Sequence, residues 1–444
     1  MEDAAPRLAA LAETLLGAPL PVRVRAWDGT EAGPPTGPVL VFRHRRALRR
    51  ILWKPGELGL ARAWVAGELT VEGDLFELLD RVAGLLWARG PGRRAHSAGP
   101  KAARARLAGG LALLRDPRSR AAVRDLLRLA RPWPAPTPPP EEAVRRGGPP
   151  HSKGRDRAAV SHHYDVGNAF YGHVLGPSMV YSCAYWSPGA TLEDAQRDKL
   201  DLVCRKLGLA PGERLLDVGC GWGSMALHAA REYGARVTGI TLSVEQAAYA
   251  RKRVAEEGLA DLVEIRVQDY RDVMDGPYDA ISSIGMAEHV GADRYREYAR
   301  TLHALLGPAG RLLNHQIARP PEPDEEAYRV DEFIDAYVFP DGELSPLGTT
   351  VGELERAGFE VRDVEALREH YALTLRAWVA RLEANRDEAV RLTSAGRARV
   401  WLLYMAASAL GFEHGRLGVN QVLAVKPAPG GDSGLPLRLR TWGA

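Results

Sequence analysis

Residues 214–223 read RLLDVGCGWG, and this stretch decides the fold. Leu215, Leu216 and Val218 around Asp217 form an apolar run of strand length. Gly219, Gly221 and Gly223 then end it, because glycine adopts turn conformations and lets a backbone approach a ligand closely. A helix over WGSMALHAAREY would point its first free N–H groups at that turn. The pattern repeats downstream. ARVTGIT (235–241) reads as a second strand, followed by the helix SVEQAAYARKRVAEEG with Ser243 as N-cap. VEIRVQD (263–269), YDAISSIG (278–285) and GRLLNHQI (310–317) supply further strands, with a helix near 293–306 between the last two. This alternation predicts an α/β fold, an open parallel sheet with helices on both faces. Ligands in such sheets lie beyond the carboxyl ends of the strands.

Upstream, residues 1–130 read as a smaller α+β domain. A helix is expected near 4–16, with short strands at 22–27 and 39–44. The segment LARAWVAGELTVEGDLFELLDRVAGLLW (60–87) carries apolar residues at helical spacing around Gly67. RPWPAPTPPP (131–140) and RRGGPPHSKG (145–154) are rich in proline and glycine, so 131–154 is expected to be a linker. Residues 155–444 form the remaining domain.

Charge is unevenly shared. Residues 1–150 hold 25 Lys and Arg against 15 Asp and Glu, whereas residues 151–444 hold 34 against 41. The basic excess is densest at 89–131, with 12 basic residues against Asp116 and Asp125. Such a half is attracted to polyanions, either nucleic acid or an anionic lipid surface, unless it is only a solvated helical face. Of 444 residues, 45% are hydrophobic and 26% charged, which excludes disorder throughout. Cys183, Cys204 and Cys220 form no CxxC pair, so neither a disulfide framework nor a structural zinc site is expected. His162–His163 and Glu288–His289 lack a third ligand at metal spacing. The N-terminal residues carry acids where a signal peptide carries bases, and no 18-residue apolar run occurs. A cytoplasmic protein is therefore expected.

The glycine turn admits two ligands. A dinucleotide site wants G-x-G-x-x-G, but Ser224 stands where the third glycine would fall. Asp217 to Gly223 instead resembles the D-x-G-x-G-x-G turn of S-adenosylmethionine (SAM)-dependent methyltransferases, so Asp217, Gly219, Cys220 and Gly221 are expected around that cofactor. The second strand ends without the ribose-binding carboxylate common in such enzymes. It reads T-L-S-x-x-Q, Thr241 to Gln246.

That ending is similar to one branch, the cyclopropane-fatty-acid synthase family, and the resemblance covers roughly 155–427. It is carried by SHHYDVGNAFY (161–171), MVYSCAYW (179–186), LLDVGCGWG, TLSVEQ, IGMAEHVG (284–291), NHQI (314–317) and HYALTLRAW (370–378). The resemblance implies a Rossmann-like class I methyltransferase domain. It implies that Thr241, Leu242 and Gln246 hold the methionine or ribose portion of SAM, and that Asp269 and Tyr270 contact the adenine. Tyr181 and Ser182 are expected to touch the cofactor, and SHHYDVGNAFY to cover it. WVAGELTVEGDLFELL resembles the accessory domain of longer members, which favours a lipid surface over nucleic acid and a peripheral place on the inner face of the membrane.

The family's chemistry gives the other residues a purpose. A cis alkene in an acyl chain attacks the sulfonium methyl and becomes a carbocation, so positioning and charge placement carry the first step. A base then removes a proton, and family members recruit bicarbonate for it. The resemblance places its holders at Cys183, Glu288, His315, Tyr371 and the backbone carbonyl of Ile317, a set of donors and acceptors suited to an anion that is both. Plainer readings stand beside these. Cys183 serves equally as a small buried hydrophobe, His315 as a satisfied core histidine, Tyr371 as filling, and Gln246 as helix surface.

Three classes of function follow: a lipid methyltransferase, a small-molecule N-methyltransferase on the same fold, or a non-enzymatic lipid or nucleic-acid binder. YSCAYW with Glu288 and the basic N-terminal half favour the first. Within it, FIDAYVFPDGEL (333–344) and WLLYMAASALGFEHGRLGVNQVLAVKP (401–427) look closer to fatty-acid C10-methyltransferases than to cyclopropane synthases. The expected product is a 10-methylene stearoyl chain made from an oleoyl chain of a phospholipid, with a cyclopropane as the alternative. A separate reductase would give the saturated methyl branch, and family habit implies a homodimer.

Overall fold

The computed structural model describes residues 3–87, 117–131, 133–143, 151–156, 166–325, 328 and 330–438. Most of the basic run at 89–131, and the first half of SHHYDVGNAFY, lie outside them. The chain divides into two compact units. The first takes residues 1–143, 322–338 and 394–410, the second residues 144–321, 339–393 and 411–444.

In the first unit four short strands, β1 (Arg23–Arg25), β2 (Glu31–Ala32), β3 (Val39–Phe42) and β4 (Leu69–Glu72), lie in the order β2-β1-β3-β4. The helix Ala4–Leu16 buries Ala4, Ala5, Leu8 and Leu11 against Val24, Phe42 and Leu48. The helical spacing read around Gly67 over 60–87 holds on either side of a strand rather than throughout. The helix stops at Val65, Gly67 turns the chain at φ +69°, and residues 69–72 pair antiparallel with β3 before a helix resumes at Leu75. The β-branched Thr70 and Val71 fit that pleat better than a helix. The proline-rich segment is tied down: Thr137 accepts from Arg50 at 2.6 Å, and Glu142 takes both Arg62 and Tyr337.

The second unit is built on seven strands: β5 (Arg214–Val218), β6 (Arg236–Thr241), β7 (Val263–Val267), β8 (Tyr278–Ile284), β9 (Leu306–Ala318), β10 (Glu360–Ala366) and β11 (Gly418–Val425). Their order is β10-β11-β9-β8-β5-β6-β7. β5 to β9 are parallel, as expected from the alternation. The sheet as a whole is mixed, because β11 runs antiparallel between β9 and β10. Side chains alternate across it. Leu215, Leu313 and Leu423 pack under the helices Leu192–Leu207, Ser224–Tyr233 and Val244–Glu256, while Leu216, Leu312 and Val422 pack under Tyr295–Leu305 and Leu347–Arg356. Both faces are therefore covered, and the strand ends are what remain open to a ligand.

Candidate active site

The glycine turn forms as its sequence demands. Gly219, Gly221 and Gly223 all take left-handed backbone, at φ +78°, +54° and +83°, a region that costs a side-chain-bearing residue about 1–2 kcal/mol. The N–H groups of Gly219 and Cys220 both donate to the Ile240 carbonyl, at 3.0 and 2.9 Å, binding the turn to the end of β6. A Cβ on Gly219 would lie in ordinary contact with Met286, whereas the place of a Cβ on Gly221 has no atom within 4 Å. That face of the turn is open.

It opens into a cleft of about 1190 Å³, part of it continuous with solvent. All eleven residues expected to bind the cofactor line it: Tyr181, Ser182, Asp217, Gly219, Cys220, Gly221, Thr241, Leu242, Gln246, Asp269 and Tyr270. Sequence-distant segments meet here because the ends of β5, β6, β7 and β8 converge.

Asp217 closes β5 and is buried. Its Oδ1 accepts from Ser282 at 2.7 Å, across the β5–β8 pairing, and its Oδ2 has no partner. Burial pushes this carboxyl up to about 6, with Ser282 and Lys199 pulling the other way. Thr241 donates to Gln246 Oε1 at 2.9 Å, and Ser243 caps the next helix by accepting from the Gln246 N–H at 3.2 Å. Gln246 is buried rather than on the helix surface. Asp269 accepts from Arg271 N, Nε and Nη2 at 3.0, 2.8 and 2.6 Å. Although burial opposes it, those bonds hold its carboxyl below the usual range. Arg271 also pairs with Asp156 at 2.9 Å.

Several polar residues of this wall were not among the expected ones, and Lys199 is the most deeply buried of them. Lys199, on the helix Leu192–Leu207, is 1% exposed, donates to Ser182 Oγ at 3.0 Å and interacts electrostatically with Asp217 and Cys183. Burial pulls its ammonium down to about 8. Arg271, Asp156 and Gln268 are others. A signal for Lys199 exists in the sequence: Lys199 and Lys206 stand seven apart, on the same helix face as Leu192, Ala195 and Val203, and all of these are buried.

None of the five catalytic candidates lines this cleft; His315 and Ile317 lie near the carboxyl end of β9, and Glu288 bonds to it there. Glu288 Oε1 accepts the Ile317 backbone N–H at 2.8 Å, while Oε2 is buried without a partner, and burial pushes the carboxyl up to about 7. His315 precedes Ile317 by two residues on the same face of β9. Its Nδ1 meets Gln421 at 3.2 Å and its Nε2 is buried and unpartnered. Ile317 pairs in register with Val419, whose carbonyl accepts from the Leu367 N–H. The Leu367 carbonyl in turn lies 3.6 Å from Cys183 Sγ and accepts from the Tyr371 N–H at 3.1 Å. The Tyr371 ring packs on Phe412, with centroids 4.7 Å apart. Glu288 and His315 thus belong to the β9 end, whereas Cys183 and Tyr371 meet Leu367, just past β10 and two strands across.

The residues of the cleft fit SAM on structural grounds. An orphaned carboxylate oxygen at Asp217 suits the cofactor's ammonium, and the open face at Gly221 suits close approach of its backbone-sized parts. An acceptor at Glu288 Oε2 and a ring nitrogen at His315 Nε2, both buried and unpartnered, suit a small anion that donates and accepts.

Comparison with known proteins identifies the family. Residues 151–422 match the family described as mycolic acid cyclopropane synthetase. A probable fatty acid methyltransferase of Mycobacterium tuberculosis is 42% identical over 429 residues, covering 94% of each chain. A tuberculostearic acid methyltransferase of the same organism is 32% identical over 92% of this chain and 89% of its own. Among solved structures, a mycolic acid cyclopropane synthase complexed with SAH and CTAB is 35% identical, with a TM-score of 0.58 over 61% of this chain and 98% of that one. The chain belongs to the mycolic acid cyclopropane synthetase family of SAM-dependent methyltransferases.

Proposed function

We propose that this enzyme methylates the cis double bond of an oleoyl chain in phospholipid and releases a 10-methylene stearoyl chain, the precursor of a 10-methyl branch. The observation that carries the reading is the pair of buried, unpartnered groups at the end of β9, Glu288 Oε2 and His315 Nε2, next to a cleft shaped for SAM. SAM, when bound, supplies an electrophilic methyl group. Asp217 and the Gly219–Gly221 turn hold and orient the donor, and the buried walls keep water from the developing cation. Bicarbonate, when bound, supplies the base; Glu288, His315, Cys183, Tyr371 and Ile317 would hold it. Glu288, carrying charge above about pH 7, orients that anion by accepting its proton.

The methylene product is supported by relatives named for fatty acid and tuberculostearic acid methylation that align over nearly the whole chain. A cyclopropane is the second reading, favoured by the solved cyclopropane synthase that matches the catalytic part alone. A separate reductase would saturate the methylene. Lipid contact falls to the first unit. Its basic excess, and the exposed Trp133 (73%) stacked edge-on to the half-exposed Trp53, suit an anionic membrane interface on the cytoplasmic side. No helix among the described residues is long and apolar enough to cross a membrane.

The test is incubation of the full chain with SAM, bicarbonate and dioleoyl phosphatidylglycerol vesicles, followed by mass spectrometry. A gain of one CH2 per modified chain is expected. Unchanged lipid alongside methylation of small amines would overturn the reading.

A further inference from the structure

Three side chains lie in one row across three strands. His315 on β9 is the register partner of Gln421 on β11, and Gln421 is the register partner of Glu365 on β10. Lys206, from the helix Leu192–Leu207, reaches this row, pairs with Glu365 and donates to Gln421 Oε1 at 2.7 Å. Gln421 is fully buried, and Lys206 and His315 are 1% and 2% exposed.

We propose that Lys206 and Gln421 are positioning residues that lock His315 as its Nε2–H tautomer. An ammonium can only donate, so Lys206 fixes which end of the Gln421 amide faces it: the oxygen. The amide nitrogen therefore faces His315 and meets Nδ1 at 3.2 Å. An NH2 group can only donate, so Nδ1 must accept and cannot carry the proton. Burial holds the ring well below its ordinary pKa, with the charges of Lys199 and Lys206 acting in the same direction, so it is neutral. One proton then remains, on Nε2, the atom that is buried and has no partner. The row thus turns an ambiguous imidazole into a fixed donor aimed at whatever anion occupies the end of β9. Its use in catalysis rests on the reading of His315 given above; the lock itself does not.

The test is nitrogen NMR of the full-length protein with labelled histidine, the His315 signals being assigned by their loss in His315→Asn. Wild type should show a protonated Nε2 and a bare Nδ1. Gln421→Glu keeps the shape but presents acceptors on both sides, so the proton should move to Nδ1, and kcat should fall at least tenfold with unchanged SAM affinity. If the added buried charge prevents folding, Gln421→Met removes the amide altogether, with both its donor to His315 and its acceptor for Lys206, and both tautomers should then be populated. A His315 tautomer unchanged in every folded variant overturns the lock. A tautomer that moves while kcat stays normal upholds the lock and removes His315 from the mechanism instead.

Discussion

Glu288 gives one carboxylate oxygen to the backbone N–H of Ile317 at 2.8 Å and holds the other buried without a partner. A strand end and a short 3-10 turn, 29 residues apart, are thereby joined by a group that is only half satisfied. Such an arrangement is poor for stability and useful for binding an anion's proton.

Glu288→Gln should separate those two costs. Activity should fall at least about tenfold, in the range typical of acid–base groups, while SAM affinity is retained. Because burial raises the folded carboxyl from 4.5 to about 7, the folded chain binds this proton more tightly than the unfolded one. Its stability contribution is greatest below pH 4.5 and is lost as pH rises to about 7, by at most about 3 kcal/mol. Thermal unfolding should thus find the variant equal to wild type near pH 4 and more stable at pH 8. A variant less stable at pH 8 would contradict this electrostatic reading.

At Gly221 a Cβ would meet no protein atom within 4 Å, at a cost of about 1–2 kcal/mol for the left-handed backbone, but would stand where a cofactor must approach. Gly221→Val should leave circular dichroism native and weaken SAM binding at least tenfold by calorimetry. Unchanged affinity in a folded variant would remove the turn from the cofactor site.

Lys199 sits near Asp217 and is buried, so its charge helps to keep that carboxylate ionised. In Lys199→Met the Asp217 carboxyl should titrate above 6, and SAM affinity at pH 7 should drop about tenfold and recover by pH 9. A loss that does not depend on pH would mean that Lys199 acts by packing alone.

What the sequence reveals of this site divides by range. The turn at 217–223 and the Ser243 cap are local chemistry, and both form where the residues say. The run of β5 to β9 follows from alternation. Strand direction does not: nothing in GVNQVLAV states that it enters antiparallel between β9 and β10. β4 was hidden because Leu69 and its neighbours also satisfy a helical spacing. Lys199 and Lys206 escaped notice because a lysine on a helix is ordinarily read as solvent-facing, although both occupy its apolar face. The bond from Glu288 to Ile317 requires the folded register.

Attachment to membranes should be electrostatic and reside in the basic half. Each basic residue near an anionic surface contributes about 1 kcal/mol, screened by salt. Sedimentation of the full chain with phosphatidylglycerol vesicles should weaken sharply between low and high salt. Equal binding to neutral phosphatidylcholine vesicles would contradict it.

The product is the most direct test. The chain should be expressed in a host that lacks cyclopropane lipids, and its fatty acid methyl esters analysed by gas chromatography–mass spectrometry together with the proton NMR spectrum, since a methylene and a cyclopropane acid have equal mass. Vinylidene protons on a C19 acid branched at C10 are the expected result. Cyclopropyl protons without vinylidene protons would contradict the methylene assignment, and unmodified oleate in cells holding folded, SAM-binding protein would contradict lipid methylation itself.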